Sequence, residues 1–500
     1  MPAARSAPRT RRPATRAARR AALALAVALA LAPALPGSAP TAPAGPAPAW
    51  DVTAATAPGP SGSPAGFGTD GRVVTDLAGA EDGQDLLLLP DGGTIGVGTA
   101  WGTDAGDFLL LAHRPDGTLD PAFGRRGAVT TDIGGGDDVA AAGALQADGR
   151  ILVAGRSEPP GGRCCRFALA RFLPDGRPDP SFGAAGKVFA AFAGDGTDPV
   201  AEALAVTVDP DGRILAAGRS GGAFALARFL PDGAPDPAFG TRGLVTTPFP
   251  AGGAAVHDLA LLPDGRILAA GHTGLTAPGS ASDAVLARYL PDGTPDPAFG
   301  TGGRTVTDFG DEDSLRGLAL RPDGRIVTAG YSGVDFALAG FLADGRPDPA
   351  FGRTGLVRTD LGVARAYDLA LDPDGRILAA GLADADFAVV RYLPDGRVDT
   401  DFGTGGLAGA DFGNGSHDEA HAVLVLPDGH VLASGTTGGD HALARFPGSG
   451  PVPAAATAPA VRPYRPAPAG TVPRPGPDAV PVAERLGHPA GPAPGPGAAR

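Results

Sequence analysis

A Phe-Gly pair recurs seven times between residues 64 and 446, in most copies shortly after a Pro-Asp-Gly turn. The spacings between successive pairs run from 51 to 60 residues. A period of this length is typical of repeat architectures, in which each unit buries its apolar faces only against its neighbours. The seven pairs are Phe67-Gly68, Phe123-Gly124, Phe182-Gly183, Phe239-Gly240, Phe299-Gly300, Phe351-Gly352 and Phe402-Gly403.

Each repeat has the pattern of four short strands, here called A to D. In the copy spanning residues 243 to 300, the predicted strands are 243–247 (A), 257–262 (B), 266–271 (C) and 284–289 (D). Strands B, C and D are apolar on both faces, which is expected of a sheet packed between two others. The chain also holds 79 Gly and 53 Pro, which is unfavourable for a helical protein.

Four-stranded units of this length close radially into propellers of about four to eight blades. Seven units therefore predict an all-β, seven-bladed β-propeller closed by noncovalent packing of the last unit on the first. An open array is the competing interpretation, because nothing covalent joins the two ends of the repeat region.

The loops between strands B and C contain Pro at a position where a type I′ turn needs a positive φ, so Pro excludes that turn type. We expect a type I turn with Gly in a left-handed bulge position, and this turn pairs Leu262 with Arg266.

These residues resemble the delta-60 repeat of secreted and surface bacterial proteins. The resemblance is carried by segments such as 224–233, 236–240 and 264–271, and it covers about 380 residues. It implies a β-propeller but no particular reaction. Two copies depart from the pattern, with His113 in place of the strand D aromatic residue and Gly340 in place of the strand D arginine.

The segments outside the repeats have a different composition. Residues 1–49 predict a signal peptide, because seven arginines precede the apolar run 21–32 and small residues follow it. A membrane anchor is the alternative, although that run is too short to span a bilayer. Residues 50–63 are a predicted linker, and the Pro- and Ala-rich residues 447–500 a predicted disordered tail. We therefore expect a secreted, extracellular protein, or one loosely attached to the cell surface, without a transmembrane segment after leader removal.

The formal net charge is −13, and removal of the arginine-rich leader makes it more negative. Such a surface repels phosphate backbones, so nucleic acid is not expected as a partner. We expect a monomer that binds a protein or a surface polymer.

The loops that vary in length, A to B and C to D, share one face of the predicted ring and are acidic. This face could bind Ca²⁺, which prefers several carboxylate and carbonyl oxygens. Alternatively, the acids cap strand ends by accepting hydrogen bonds from backbone N–H groups. The candidate metal ligands are Asp137, Asp138, Asp311, Glu312, Asp313, Asp418 and Glu419, and the acids at strand D starts include Asp107, Asp283, Asp335, Asp386 and Asp440. The opposite face carries repeated Arg and Asp residues that we expect to be structural.

Histidine and cysteine give no clear catalytic centre. Leu262 paired with Arg266 places His257 and His272 on opposite faces of their hairpin, and a one-residue change in the turn would instead allow them to meet. His417 and His421 are about 13 Å apart along a strand, too far to share one metal. Cys164 and Cys165 could form a strained vicinal disulfide in an exported protein, or remain two thiols.

The predicted function is therefore an exported, non-enzymatic binding or scaffold module at or outside the cell envelope. An active site needs unlike groups in one pocket, whereas most polar residues here recur with the repeats. The alternative is a propeller hydrolase or lyase with its site at the channel mouth on the variable-loop face.

Overall fold

The computed structural model describes residues 66–77, 79–102, 105–159, 165–192, 200–274, 282–413, 415 and 417–448, together with the backbone of residues 53–55. The predicted leader, the rest of the predicted linker and the tail from residue 449 lie outside these ranges. None of the described residues forms a helix long and apolar enough to cross a lipid bilayer.

The described elements are 29 strands. In chain order they are β1 (Thr53–Ala55), β2 (Arg72–Asp76), β3 (Ala80–Leu88), β4 (Thr94–Trp101), β5 (Gly106–His113), β6 (Ala128–Thr131), β7 (Asp138–Leu145), β8 (Ile151–Ser157), β9 (Arg166–Phe172), β10 (Lys187–Ala190), β11 (Ala201–Val208), β12 (Ile214–Ser220), β13 (Ala223–Phe229), β14 (Leu244–Thr247), β15 (Ala255–Leu261), β16 (Ile267–Thr273), β17 (Asp283–Tyr289), β18 (Arg304–Thr307), β19 (Asp313–Leu320), β20 (Ile326–Ser332), β21 (Asp335–Phe341), β22 (Leu356–Thr359), β23 (Ala364–Leu371), β24 (Ile377–Ala383), β25 (Asp386–Tyr392), β26 (Leu407–Ala410), β27 (Asp418–Val425), β28 (Val431–Thr437) and β29 (Asp440–Phe446).

These strands form seven antiparallel sheets, which confirms the predicted seven-bladed propeller. Blades 1 to 6 are β3–β6, β7–β10, β11–β14, β15–β18, β19–β22 and β23–β26, and blade 7 contains β27, β28, β29 and β2, with β1 added outside β2. The first strand of each blade contacts the first strands of both neighbouring blades, around the whole ring. Predicted strand B is therefore the inner strand and lines the central channel.

Each predicted strand A is part of the preceding blade in the ring, and not of the blade formed by strands B, C and D of its own repeat. In each of blades 1 to 6 it is the outermost strand and pairs with strand D of the preceding repeat. In blade 7 that place is taken by β2, whose Val73 lies opposite Leu443 of β29. The ring is thus closed by backbone hydrogen bonds between early and late strands, in addition to side-chain packing.

The face of the ring opposite the variable loops, which carries the repeated Arg and Asp residues, is built from repeated contacts, in agreement with its predicted structural role. Arg288 Nε lies 2.7 Å from a carboxylate oxygen of Asp296, and its guanidinium lies 4.5 Å from the ring centre of Phe299. Equivalent buried ion pairs join Arg171 to Asp179 and Arg391 to Asp399. These contacts hold the Phe-Gly segment against strand D.

The B to C turns have the predicted geometry. In blade 4, the Leu262 N–H donates to the Arg266 carbonyl at 2.8 Å, and Gly265 has φ of 84°. The glycine at this position has a positive φ in every blade, which is the left-handed conformation that favours glycine.

A feature that sequence analysis did not predict precedes this turn on each inner strand. The pairing between the first and second strands of every blade skips one residue, which is a β-bulge. A bulge re-aims side chains, because two residues on one strand oppose a single residue on its partner. The seven bulge residues are Gln84, Ala141, Leu204, His257, Arg316, Tyr367 and His421.

Candidate functional site

All seven bulge residues line one cavity in the central channel, with a volume of about 370 Å³. Each blade contributes one of them, so the residues form a ring with one variable position per blade. We call this set the bulge ring. Its volume lies within the range of small-molecule pockets, about 300 to 1,000 Å³.

The bulge ring is not symmetric. Blades 2 and 3 contribute the apolar Ala141 and Leu204, whereas blades 4 to 7 contribute His257, Arg316, Tyr367 and His421. One side of the cavity is therefore apolar and the other side carries titratable groups. The bulge directs His257 and His421 into the same cavity, which strict strand alternation does not predict, whereas His417 and Cys165 do not line it.

His257 and His272 are in direct contact, with 2.9 Å between His257 Nε2 and His272 Nδ1. The prediction that they lie on opposite faces is wrong. The predicted Leu262–Arg266 pairing is correct, but the bulge at His257 shifts the register between the turn and the histidine by one residue. A shift of one residue moves a strand side chain to the other face.

Arg316 completes this contact network. Its Nη1 donates to His257 Nδ1 at 3.3 Å, and its Nη2 donates to the Tyr331 hydroxyl at 3.1 Å. Because an arginine can only donate, His257 Nδ1 must be an acceptor and His257 Nε2 carries the proton shared with His272. Burial, together with the Arg316 charge, holds the pKa of His257 well below its usual range and lowers that of His272 to about 4.

Arg316 and Arg365 lie against the same aromatic ring. Their guanidinium carbons are 5.3 Å and 4.5 Å from the centre of the Tyr331 ring. Neither arginine forms an ion pair with any residue in the described ranges, and Arg316 Nε is buried without a hydrogen-bond partner. Arg316 thus brings a guanidinium without an ion-pair partner among the described residues into a cavity that is also lined by the carboxyl groups of Glu419, Asp85, Asp258 and Asp368.

Glu419 and His421 form a second pair on the neighbouring side. His421 Nε2 lies 3.2 Å from a Glu419 carboxylate oxygen, and His421 Nδ1 lies 2.6 Å from the Gly83 carbonyl oxygen. The contact with His421 lowers the pKa of Glu419. Burial, with a smaller contribution from Glu419, raises the pKa of Tyr367, whose ring packs edge-on against His421, to about 12.

Three aspartates follow the bulge residues in blades 1, 4 and 6. Each accepts backbone hydrogen bonds from its own strand and from the next blade; Asp258, for example, accepts from Leu259 at 2.6 Å and Leu318 at 2.6 Å. Burial raises the pKa of Asp258 to about 7, and it raises that of Asp368 well above its usual range, with a further contribution from Asp258. These carboxyls, with Asp85, lock adjacent inner strands beneath the bulge ring.

The seven predicted metal ligands are placed in different environments. Asp138, Asp313 and Asp418 each join two further carboxylates at the boundary between two blades. Glu419 instead faces the channel, Asp311 pairs with Arg358 at 3.1 Å, and the exposed Asp137 lies 3.3 Å from the Gly106 N–H. Glu312 is half-buried, and its carbonyl accepts a hydrogen bond from Gly333.

The predicted capping role is confirmed for three of these acids. Asp138 accepts from the N–H groups of Ile133 and Gly134, and Asp313 and Asp418 accept from Phe309 and Phe412. One oxygen of each carboxylate therefore fixes the A to B loop. Cys165 is half-buried just before β9, whereas Cys164 lies outside the described residues, so the predicted disulfide stays a prediction.

Five segments of the chain match the family described as a domain of unknown function (DUF5122) beta-propeller, at residues 146–182, 210–239, 262–299, 321–351 and 373–402. Each match runs from just before a B to C turn to a Phe-Gly segment, in five successive repeats. The chain is a β-propeller repeat protein. A comparison with curated proteins finds no match.

Solved structures similar to this propeller include proteins of unrelated activities. Virginiamycin B lyase from Staphylococcus aureus, in a catalytically inactive form, is 8% identical, with a TM-score of 0.45, and the match covers 74% of this chain and 97% of the lyase chain. PorZ from Porphyromonas gingivalis, a bacterial surface component of the type-IX secretion system, is 14% identical, with a TM-score of 0.40 and coverage of 71% and 45%. A glucose dehydrogenase is 16% identical, with a TM-score of 0.38 and coverage of 64% and 98%.

One signal in the sequence could have revealed the bulge of this propeller. The second strand of each blade carries a glycine opposite the bulge, and a Cβ atom there would overlap a carbonyl oxygen of the bulged strand. These glycines are Gly98, Gly155, Gly218, Gly271, Gly330, Gly381 and Gly435. A glycine repeated inside a strand is the usual mark of a bulge or a close backbone approach.

Proposed function

We propose that this propeller is a binding module whose central channel takes a small organic anion, with Arg316 as the anchoring residue. The observation that carries the proposal is the state of Arg316, a cation without a carboxylate partner among the described residues. A guanidinium in a concave site forms strong, directional hydrogen bonds to carboxylate or phosphate oxygens. Its contacts with His257 and Tyr331 hold it in place before the anion binds.

The composition of the cavity limits the kind of anion. A volume of about 370 Å³ accommodates a molecule of monosaccharide size with several waters. Gln84 and Tyr367 offer hydrogen bonds to hydroxyl groups, and Ala141 and Leu204 offer an apolar wall. A sugar acid or a sugar phosphate combines these features.

The histidine contacts favour binding over catalysis. Both ring nitrogens of His257 are engaged by Arg316 and His272, and both of His421 by Glu419 and the Gly83 carbonyl. A general base must reach the proton that it removes, so an imidazole with both nitrogens engaged must first break a contact. The Glu419–His421 pair is nevertheless the place where the alternative hydrolase or lyase activity would reside.

Isothermal titration calorimetry on the full chain tests this proposal with gluconate, glucose 6-phosphate and neutral glucose as probes. We expect one of the two anions to bind at one site per chain, and glucose to bind at least about tenfold more weakly, because a hydrogen bond to a charged group contributes about 1.5 to 3 kcal/mol. Arg316→Gln should weaken anion binding by a similar factor. Arg346→Gln, which removes the same charge from an exposed turn, is the control and should bind normally.

Equal binding of glucose and the anions, or unchanged binding by Arg316→Gln, would contradict the anion site. Conversion of a bound probe to product, abolished by Glu419→Gln, would instead support the enzymatic alternative.

We also propose that the propeller acts outside the cytoplasm, on the basis of the arginine-rich leader pattern. Amino-terminal sequencing of protein recovered from the culture medium should find the chain starting near residue 50, and an intact leader on protein confined to the cytoplasm would contradict export.

A further inference from the structure

A second ring of side chains lies next to the bulge ring, at the end of the channel that faces the variable loops. Its members stand two positions before the bulge residue on each inner strand. Side chains two positions apart on a strand point to the same face, so these residues face the channel as the bulge ring does. We call them the mouth ring, and they are Asp82, Val139, Glu202, Ala255, Ser314, Arg365 and Glu419.

Each acid of the mouth ring contacts a nitrogen atom of its own blade. The pairs are Asp82 with Trp101 at 3.1 Å, Glu202 with Arg219 at 2.8 Å, and Glu419 with His421 at 3.2 Å. The negative charges of this ring are therefore already engaged by neighbouring side chains.

The three aspartates that line the cavity beside the bulge ring are engaged by backbone. Each uses one oxygen to accept from the N–H of the next residue and the other to accept from an N–H of the next blade. The second contacts are Asp85 with Gly143, Asp258 with Leu318, and Asp368 with Val423. These carboxyl groups thus direct their oxygens at the strands and not at the arginines of the channel.

Arg365 is the charged member of the mouth ring that has no such partner among the described residues. It is half-buried, between the buried Ala364 and Ala366. Its guanidinium carbon lies 4.5 Å from the centre of the Tyr331 ring and not against a carboxylate. A cation over an aromatic face is attracted to the ring, but the ring accepts none of the in-plane N–H bonds of a guanidinium. Arg365 therefore keeps donors that no described side chain accepts.

Tyr331 places Arg365 beside Arg316. The guanidinium carbon of Arg316 lies 5.3 Å from the centre of the same ring, and its Nη2 donates to the Tyr331 hydroxyl at 3.1 Å. Both charges also reach Tyr367, which lines the cavity. Burial and then Glu419 raise the pKa of Tyr367, whereas Arg365 and Arg316 act against that shift. The channel thus holds two cations at successive levels, Arg316 in the cavity and Arg365 towards the mouth.

We propose that the channel ligand carries two anionic groups, one bound by Arg316 in the cavity and the other by Arg365 at the mouth. This inference rests on the proposed anion site at Arg316 and narrows its ligand class. Two guanidinium groups beside one ring repel each other, and a second anionic group on the ligand compensates the second charge. Carboxylate and phosphate are the groups that a guanidinium binds in two-pronged geometry. Within the sugar-sized class, this describes a dicarboxylic or a phosphorylated sugar acid.

Isothermal titration calorimetry on the full chain tests the inference with three probes built on one carbon chain. Gluconate carries one anionic group, whereas glucarate adds a carboxylate and 6-phosphogluconate a phosphate at the opposite end. We expect one of the two doubly anionic probes to bind at least about tenfold more tightly than gluconate, since it gains a second set of charge-assisted hydrogen bonds. The stronger of the two identifies the second group as carboxylate or phosphate.

Arg365→Gln should abolish this preference and leave the affinity for gluconate unchanged, whereas Arg316→Gln should weaken all three probes. Arg365→Lys keeps the charge but loses the planar fork of donors, so it should retain part of the preference, and it serves as the test if Arg365→Gln does not fold. Arg358→Gln is the matched control, because it removes the same charge from the outermost strand β22, where Arg358 pairs with Asp335 at 2.7 Å. This variant should keep the full preference.

The outcomes separate this inference from the proposed function. Equal affinity for the three probes, with Arg316→Gln still weakening each of them, would overturn the second anchor and leave the anion site at Arg316 intact. An equal loss of preference in Arg358→Gln and Arg365→Gln would also overturn it, because net charge and not a contact at the mouth would then determine the affinity. Binding of none of the probes would contradict both proposals.

Discussion

At the scale of single residues, the glycine opposite each bulge determines what the channel presents. Gly271 lies where a Cβ atom would overlap the Ala255 carbonyl oxygen, so only glycine allows the inner strand to bulge at His257. The bulge in turn points His257 into the cavity. A structural glycine on the second strand thus controls a binding residue on the first.

Gly271→Ala should lower the free energy of unfolding by about 1 to 3 kcal/mol, because overpacking against backbone cannot relax through a side-chain rotation. Urea denaturation measures the loss. Gly409→Ala is the control, since its nearest neighbour would be 3.3 Å from the new Cβ and the free energy of unfolding should change little. Equal stability of Gly271→Ala and the unmodified chain would show that the bulge does not depend on this glycine.

Residue patterns predicted local geometry better than they predicted the channel. The Pro-Asp-Gly turn could be specified from the fixed φ of proline and the left-handed glycine, because both act within four residues. The contact of His257 with His272 depends on a bulge five residues away from that turn, and strict alternation gives the wrong face. Arg316 lies in the next blade, and nothing in the local sequence connects it to His257.

At the scale of elements, the repeat of the sequence and the blade of the structure are offset by one strand. The repeat pattern is sufficient to predict seven four-stranded units, because each unit has the same strands and turns. It does not show that strand A pairs with the preceding repeat, since both arrangements bury the same apolar residues. The groups of three carboxyls at blade boundaries, such as Asp283, Asp308 and Asp313, were missed for the same reason, because Asp308 follows an outermost strand that packs beside the next blade.

The offset makes β2 the element that closes the ring. Val73 of β2 is 9% exposed and packs with Phe67 and Leu443 of blade 7. Val73→Asp should lower the free energy of unfolding by several kcal/mol, about 2 to 4, because it buries an unpaired charge in the closing contact. Denaturation in urea and limited proteolysis both measure the effect.

Val306→Asp is the control for this prediction. Val306 lies in β18, the outermost strand of blade 4, and is 49% exposed, so its substitution should be nearly neutral. If both variants lose the same stability, the closing strand contributes no more than any other outermost strand.

At the scale of the whole molecule, the closure between blades 7 and 1 contains two buried histidines. The rings of His113 and His441 are stacked with centres 5.6 Å apart, and the two residues are only 2% and 1% exposed. Each has one hydroxyl contact, with Thr75 and Ser434, and neither Nδ1 has a hydrogen-bond partner. Burial lowers the pKa of His113 to about 4, and burial together with His113 lowers that of His441 to about 3.

These histidines predict that acid weakens the ring closure. In the folded chain the two histidines bind protons only well below pH 6.5, whereas in the unfolded chain they bind protons near that value. The free energy of unfolding therefore has its full value above pH 6.5 and declines as the pH falls towards 4. The slope is at most about 1.4 kcal/mol per pH unit for each histidine. Glu81 at the same blade boundary acts in the opposite direction, because burial raises its pKa to about 7 and folding then favours its protonated form at low pH.

The comparison with His441→Phe separates the two effects, since Phe occupies the equivalent position in blades 1, 2, 3, 5 and 6 and leaves Glu81 in place. Urea denaturation between pH 7 and 4, with chelator present, should show the free energy of unfolding falling less steeply for His441→Phe than for the unmodified chain, and identical slopes would show that the buried histidines do not determine how the ring responds to acid.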